Sequence, residues 1–89
     1  MTIKEQIKAK LEAGLQPTRL EIEDESHRHA GHGGWREGGE THFRIDVASA
    51  RFIGKGRIER HRLVYGLLEE EIAAGVHALA LKTKAPGET

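Results

Sequence analysis

Apolar residues recur at every fourth position near the start of the chain: Ile3, Ile7 and Leu11. Because charged residues lie between them, this spacing predicts an amphipathic first helix. Thr2 and Glu5 have the spacing of a capping box, in which each residue covers a free backbone amide of the other. Gly14 is the expected left-handed cap at the C-terminal end of this helix, and Pro17 prevents its continuation.

Two stretches that alternate between apolar and polar residues predict strands. The first runs roughly from Arg19 to Asp24, and the second and clearer one runs from Thr41 to Ala48. The second strand places Phe43, Ile45 and Val47 on one face and His42, Arg44 and Asp46 on the other. Between the strands lies a polar loop, residues 27–39, with five glycines and three histidines. Loops of this length in compact domains are typically functional or mobile.

The second half of the chain predicts a long helix and a last strand. Gly54 and Gly56 free the backbone at the turn before the helix, and Gly75 ends it. A break into a short and a long piece is expected near His61. The expected apolar stripe of this helix consists of Ile58, Leu63, Val64, Leu67, Leu68 and Ile72. Val76 to Thr83 predicts the strand, and residues 84–89 predict a flexible polar tail.

The predicted order is therefore helix, strand, strand, one or two helices, strand. An α+β fold follows, a two-layer sandwich in which helices cover one face of a three-stranded mixed sheet. The first two strands should be antiparallel, and the last should run parallel to one of them through a crossover connection. Eighty-nine residues suffice for a single domain, 1–89, with an ordered core over about residues 2–83.

The composition of the chain limits the classes of function that it is expected to have. The chain has no cysteine, so it forms no disulfide and supplies no thiolate ligand or nucleophile. Lysine plus arginine equal aspartate plus glutamate at 14 each, so nucleic-acid binding would depend on a local patch. No stretch predicts a membrane span or a leader segment, and we expect a cytoplasmic protein. Ser26 and Ser49 lack a nucleophile elbow and no catalytic set can be assembled, so an enzyme is not expected.

The histidines are candidate metal ligands. His27, His29 and His32 share the glycine-rich loop, and imidazole is the commonest neutral metal ligand in proteins. Their spacing matches no rigid zinc motif, so the loop by itself favours a solvated segment over a metal site. His77 begins the predicted last strand, where a ring packed beside Leu79 is the simpler interpretation from the sequence pattern alone.

A basic cluster precedes and opens the long helix: Arg51, Lys55, Arg57, Arg60, His61 and Arg62. Glycines before a helix start can bind phosphate through backbone amides and the helix dipole. The segment from Gly54 to Arg57 is too short for a P-loop. A structural role is equally consistent with the pattern, with Arg60 or Arg62 pairing with an acidic residue (Glu59, Glu69 or Asp46).

Four motifs spread over nearly the whole chain together resemble the BolA family. They are Asp24-Glu-Ser26, Glu40-Thr-His-Phe43, Arg60-His-Arg62 and Val76-His-Ala-Leu79. The resemblance implies a fold akin to the type II KH domain, with the order αββααβ. It also implies partnership with a monothiol glutaredoxin. The isolated chain is then expected to hold no cofactor and to be a monomer or a weak homodimer.

In that partnership the two proteins share a [2Fe-2S] cluster, and the glutaredoxin supplies its cysteine and the thiolate of a bound glutathione. The resemblance implies that His77 is one ligand from this chain and that a loop histidine is the other. His29 is the best positional match, with His32 and His27 as alternatives. Histidine in place of thiolate raises the potential of such a cluster, which suits a sensor of redox or iron status.

The resemblance also implies a second role, transcriptional regulation through DNA contacts of the basic helix region: Lys55, Arg57, Arg60, His61 and Arg62. KH domains clamp nucleic acid with a Gly-x-x-Gly loop, and here Arg57 stands in the place of the second glycine. Zero net charge predicts weak, salt-sensitive DNA binding. The same basic residues are equally suited to docking glutaredoxin or the carboxylates of its glutathione.

Overall fold

The computed structural model describes residues 2–25 and 42–88 of the chain. Its elements are α1 (Ile3–Leu15), β1 (Arg19–Asp24), β2 (His42–Ala48), a short 3-10 helix (Ala50–Phe52), α2 (Arg57–Leu67), α3 (Glu69–Ala73) and β3 (Ala78–Lys84). This order confirms the αββααβ arrangement predicted from the sequence. Within the described ranges, no helix combines the length and the apolar character that crossing a membrane requires.

The three strands form one mixed sheet with β2 in the middle. β1 pairs with β2 in antiparallel orientation, and β3 pairs with β2 in parallel orientation, as the sequence predicted. The register places Ile22 and Leu81 on either side of Ile45, so apolar side chains of all three strands share one face. The opposite face carries charged residues, which include Glu21, Arg44, Asp46 and Lys82.

The core lies between this sheet and the helices. Phe43, Ile45 and Val47 of β2 are buried, which confirms the predicted inner face of that strand. The buried apolar residues on the helical side are Ile7, Leu11 and Leu15 of α1, Phe52 of the 3-10 helix, Val64 of α2, and Leu68 between α2 and α3. Burying a side chain of this size contributes about 1.5–3 kcal/mol, so this single layer of contacts holds the two-layer fold together.

α1 begins as predicted but ends differently. The Glu5 amide donates to Thr2 Oγ1 over 3.1 Å and the Thr2 amide donates to Glu5 Oε1 over 3.0 Å, so the capping box is confirmed. Gly14, the predicted left-handed cap, lies inside the helix, and the left-handed residue is Gln16, with φ of 45°. A Cβ on Gly14 would lie 2.7 Å from a methyl of Leu67. The glycine therefore serves close packing of α1 against α2, which local pattern does not reveal.

The predicted helix break near His61 is wrong, because α2 runs unbroken from Arg57 to Leu67. The break falls at Leu68, whose amide is shared between the carbonyls of Val64 and Tyr65. The helical path resumes with α3, which has three glutamates in its first turn, where negative charge interacts favourably with the helix dipole. Ile58 does not belong to the apolar stripe as predicted, since it is 67% exposed.

Ser49 connects the end of β2 to the end of α1 and is fully buried. Its hydroxyl donates to the carbonyl oxygen of Leu15 over 2.6 Å and accepts from the amide of Arg51 over 3.1 Å. One side chain thus satisfies an orphan carbonyl at a helix end and caps the 3-10 helix that follows. This contact explains why a polar residue occupies the core at this position.

Candidate functional site

One end of the sheet brings His42 and His77 together. β2 begins at His42, and β3, which runs parallel to it, begins at Ala78 directly after His77. Because the register pairs His42 with Ala78, the two strands start side by side. The two imidazole rings lie with their centroids 5.3 Å apart and their planes tilted by 54°.

The two described positions that flank the glycine-rich segment, Glu25 and His42, lie at this same end of the sheet. β1 is antiparallel to β2, so its last residues lie beside the first residues of β2, and the Glu25 amide donates to the His42 carbonyl over 2.8 Å. Residues 26–41 join these two positions along the chain. The predicted loop ligands His27, His29 and His32 lie outside the described residues, so their assignment stays a prediction.

The two described histidines differ in their access to solvent. His77 is exposed, whereas His42 is 6% exposed and borders an open cavity of about 380 Å³. Glu25, Arg44 and residues 78–80 also line this cavity. The buried Glu25 carboxylate forms an ion pair with Arg44, with Nε and Oε2 3.2 Å apart, so these two charges compensate each other. An exposed imidazole therefore sits next to a covered one, beside space that a small group can enter.

Nitrogen and oxygen are the available donors at this end of the sheet. In the described part of the chain, no group of three or more histidine, cysteine, aspartate or glutamate residues could hold a metal ion by itself. A metal centre held here would therefore take part of its ligand set from the glycine-rich loop, from solvent or from another molecule.

The predicted basic cluster lies around the start of α2. We call Lys55, Arg57 and Arg62, all exposed, the basic surface. His61 is half-buried beside it, and Ile58 and Tyr65 of the same helix are exposed apolar residues. Three cations next to solvent-facing apolar side chains are suited to contact an acidic partner or a phosphate backbone.

Arg60 differs from its neighbours because its guanidinium is engaged within the fold. It donates to the Lys55 carbonyl over 2.8 Å and to the Thr83 carbonyl over 3.2 Å, and it pairs with both carboxylate oxygens of Glu88 at 2.6 and 2.8 Å. Its guanidinium carbon lies 5.8 Å from the ring centroid of Phe52, and its side chain is 12% exposed. The partner is Glu88 rather than the acidic residues that the sequence suggested. Arg60 thus ties α2 to the end of β3.

The pair of Arg60 and Glu88 holds the described residues that follow β3, 85–88. The sequence predicted a flexible tail from Lys84, but Lys84 is the last residue of β3 and Ala85 is buried. Glu88 Oε1 also accepts from the Ala85 amide over 2.9 Å. The residue that holds this segment, Arg60, lies 28 positions before Glu88 in the sequence. The local composition of the segment therefore predicts a free tail, because it does not reveal this distant partner.

The Arg60–Glu88 pair should make stability depend on pH. The hydrogen bond from Arg60 and then that from the Ala85 amide lower the pKa of Glu88 from 4.5 to about 2. Since the folded pKa is the lower one, this stabilisation is present above about pH 4.5 and is lost as the pH falls towards 2. Urea unfolding of the wild type and of Glu88→Gln should therefore differ most above pH 5, and the two midpoints should converge by pH 2. A difference that stays constant with pH would contradict this assignment.

The fold, with its three-stranded mixed sheet covered by helices, is that of a small α+β domain of BolA type. The chain belongs to the BolA-like protein family, whose model matches residues 11–88. It is 46% identical over 86 residues to SufE-like protein 1, chloroplastic/mitochondrial, of Arabidopsis thaliana, and this match covers 92% of the chain but 23% of that much longer protein. It is also 46% identical to the DNA-binding transcriptional regulator BolA of Escherichia coli, over 93% of the chain and 75% of the relative.

A solved structure shows the same fold. The BolA domain of SufE1 from Arabidopsis thaliana superimposes with a TM-score of 0.90 at 44% identity, and the match covers 100% of this chain and 98% of that one. The small α+β architecture with a three-stranded mixed sheet is thus a BolA-domain architecture. These relatives carry the names of a SufE-like protein, of a transcriptional regulator and of BolA-like proteins.

Sequence reasoning did not include His42 among the site residues, although the Thr-His-Phe motif contains it. The alternation pattern placed it with Arg44 and Asp46, on the face of the strand opposite the apolar residues. The sequence nevertheless contained information that pointed to His42. The predicted parallel pairing of the last strand brings the two strand starts to one end of the sheet, and a histidine stands at or just before each start.

Proposed function

We propose that this chain is a regulatory or adaptor protein that pairs with a monothiol glutaredoxin and shares a [2Fe-2S] cluster with it through histidine ligands. The role would lie in iron–sulfur or iron homeostasis, without an enzymatic activity of its own. The observation that carries the proposal is the exposed His77 at the end of the sheet where Glu25 and His42, the described residues that flank the glycine-rich segment, also lie.

The donor set of the chain suits a shared cluster. With no cysteine anywhere in the sequence, the chain can offer an iron only nitrogen or oxygen ligands, and two imidazoles on one iron occur in Rieske-type [2Fe-2S] centres. His77 would be one ligand, and the other would come from the loop, with His29 first and His32 and His27 as alternatives. Because the described residues supply no complete metal site, the remaining ligands would come from the cysteine of the glutaredoxin and its glutathione.

The histidines determine what the complex can do. Neutral imidazole in place of thiolate raises the reduction potential of a [2Fe-2S] cluster when it is bound. Exposure of His77 leaves its ring accessible to a docking partner. The cluster would then be held more weakly on this side than by four thiolates, which suits sensing or transfer.

Anaerobic reconstitution tests this proposal. The chain, a monothiol glutaredoxin, glutathione, iron and sulfide are combined, and the product is analysed by size exclusion and visible circular dichroism. We expect a heterodimer whose spectrum differs from that of the glutaredoxin homodimer with its cluster. Elution as separate proteins, with the homodimer spectrum unchanged, would refute the partnership.

A second candidate function is DNA binding through the basic surface, and the relative named a DNA-binding transcriptional regulator favours it. The exposed Lys55, Arg57 and Arg62 are free to approach a phosphate backbone, whereas Arg60 is engaged with Glu88. Each phosphate contact contributes about one unit to the slope of log affinity against log salt.

Arg57→Ala should therefore weaken any DNA binding about equally for all sequences and should lower the salt slope by about one. A mobility-shift titration at several salt concentrations measures both quantities. Arg19→Ala is the matched control, because Arg19 lies on β1 and pairs there with Glu21 and Asp46. Binding that is independent of salt, or equal loss in the control, would contradict this assignment.

A further inference from the structure

We propose that two copies of this chain associate through the free edge of β3, with the two β3 strands antiparallel and paired around Ala80. The three-stranded sheet of one copy then continues directly into that of the other. The inference goes beyond the proposed function and does not depend on it, because it concerns the isolated chain.

β3 has one side without a neighbouring strand. The strand order is β1-β2-β3, so β3 pairs with β2 on one side and forms an edge of the described sheet on the other. The Lys84 carbonyl accepts from the Ser49 amide, directly after β2, over 2.9 Å and therefore points towards β2. Backbone groups of successive strand residues point to alternate sides, so those of Leu79, Leu81 and Thr83 point outwards. Outward N–H and C=O groups are a template for a further strand.

The fold itself covers the C-terminal end of this edge. Arg60 donates to the Thr83 carbonyl over 3.2 Å, which agrees with an outward orientation of that residue. The described residues offer the outward groups of Leu79 and Leu81 no partner of this kind. An added strand can therefore pair with β3 as far as Leu81, and beyond that point Arg60 and its ion pair with Glu88 limit it.

The leucines of β3 favour a two-fold register centred on Ala80. In this register Leu79 lies opposite Leu81 of the second copy and the reverse, and each of these pairs exchanges both backbone hydrogen bonds. The two alanines at position 80 meet at the closer, non-hydrogen-bonded position, where a small side chain fits. Leu79 and Leu81 are half-buried at the rim of the core, so the pairing would remove more of their apolar surface from water.

The charges on the outer face of the sheet are compatible with this register. Ala78, Ala80 and Lys82 are exposed on that face of β3. Lys82 lies opposite Ala78 of the second copy, so like charges are not directly opposed. A register centred on Lys82 would instead set two lysines opposite each other, which destabilises a strand pair. The register around Ala80 thus joins leucine to leucine at both inner positions without a charge conflict.

The other edge strand, β1, is unsuited to pairing with its own copy. Its exposed positions all carry charges: Arg19, Glu21 and Glu23. A two-fold register centred on Glu21 or on Ile22 sets glutamates opposite each other. Charged side chains are a common protection of a sheet edge against association, and the exposed positions of β3 before Lys82 lack them. The sequence therefore directs self-association to β3.

The dimer should be weak, because the contact is one short strand pair. Standard stable interfaces bury about 1,600 Å², and a pairing of this length buries less. We expect a dissociation constant between about 10 µM and 1 mM. Sedimentation equilibrium of the isolated chain at up to about 1 mM measures it. A chain that is monomeric throughout this range overturns the inference.

A charge-swap experiment tests the register. Ala80→Lys and Ala80→Glu each place like charges opposite each other at the two-fold axis and should raise the dissociation constant up to about fivefold. An equimolar mixture of the two variants should associate more tightly than either variant alone, because opposite charges then meet. Ala80 is exposed, so both variants should keep the monomer fold, which far-ultraviolet circular dichroism checks.

The matched control is Glu21→Ala on the β1 edge, which should leave the dissociation constant unchanged. A wild-type affinity in Ala80→Lys, no gain on mixing the two Ala80 variants, or an altered affinity in Glu21→Ala would each overturn the inference. The wild type supplies a second criterion that needs no variant. In a dimeric mixture of carbon-13-labelled and unlabelled chains, isotope-filtered NMR should show methyl contacts between Leu79 of one copy and Leu81 of the other, and their absence excludes the pairing.

Discussion

His77→Ala is expected to abolish the visible absorption and dichroism of the complex reconstituted with a monothiol glutaredoxin. His77 is the exposed imidazole at the sheet end, and the chain has no cysteine that could replace it. Removing it would leave one iron short of the ligand that the proposal assigns to His77. The measurement compares wild type and variant at equal iron and sulfide, with folding checked by far-ultraviolet circular dichroism.

A conservative variant and a control sharpen this test. His77→Cys should retain a cluster with a lower reduction potential, because thiolate replaces neutral imidazole. Lys82→Ala, on β3, the strand that His77 directly precedes, is also exposed and should leave the spectrum unchanged. An unaltered spectrum in His77→Ala would remove His77 from the ligand set and with it the observation on which the proposed function depends.

Phe52→Ala is expected to lower the free energy of unfolding by about 3–5 kcal/mol, the usual cost of truncating a buried phenylalanine. Phe52 is fully buried in the 3-10 helix, and the Arg60 guanidinium lies over its ring. A domain of this length has a total stability of roughly 4–13 kcal/mol, so the variant should be partly unfolded at ambient temperature or close to it. Urea denaturation followed by circular dichroism measures the change.

The residue that follows Phe52 in the chain provides the matched control for Phe52→Ala. Ile53 is 65% exposed, so Ile53→Ala should change the stability by no more than about 0.5 kcal/mol. Phe52→Leu keeps most of the apolar volume and should cost less than Phe52→Ala. Equal losses for Phe52→Ala and Ile53→Ala would show that the core does not depend on the Phe52 ring.

The Phe52→Ala substitution should affect the binding surface as well as the stability of the fold. Phe52 supports Arg60, and Arg60 joins the turn at Lys55 to the end of β3 and to Glu88. Two residues of the basic surface, Lys55 and Arg57, lie in or next to that turn. A variant that loosens Phe52 should therefore disturb partner or DNA contacts indirectly, and a loss of binding in Phe52→Ala should not be assigned to a ligand contact.

The sequence by itself determined the elements and their order. Local rules suffice for these features: alternation in β2 places Phe43, Ile45 and Val47 inside, and the spacing of Thr2 and Glu5 caps α1. The parallel and antiparallel pairing followed from the connection lengths, since a long helical connection allows a parallel return. His77 was noted because it begins the predicted last strand, and the family motif around it made it a candidate ligand.

Tertiary structure alone decided the remaining features, because each depends on a contact between distant residues. Gly14 accommodates Leu67 instead of ending α1, and Leu68 interrupts the long helix where it enters the core. Arg60 takes Glu88 as its partner and so holds the predicted free tail. The pairing of His42 with His77 arises from the parallel register of β2 and β3, which places residues 35 positions apart side by side. Sequence spacing describes neighbours along the chain, whereas these contacts are made between residues that only the packed sheet and helices bring together.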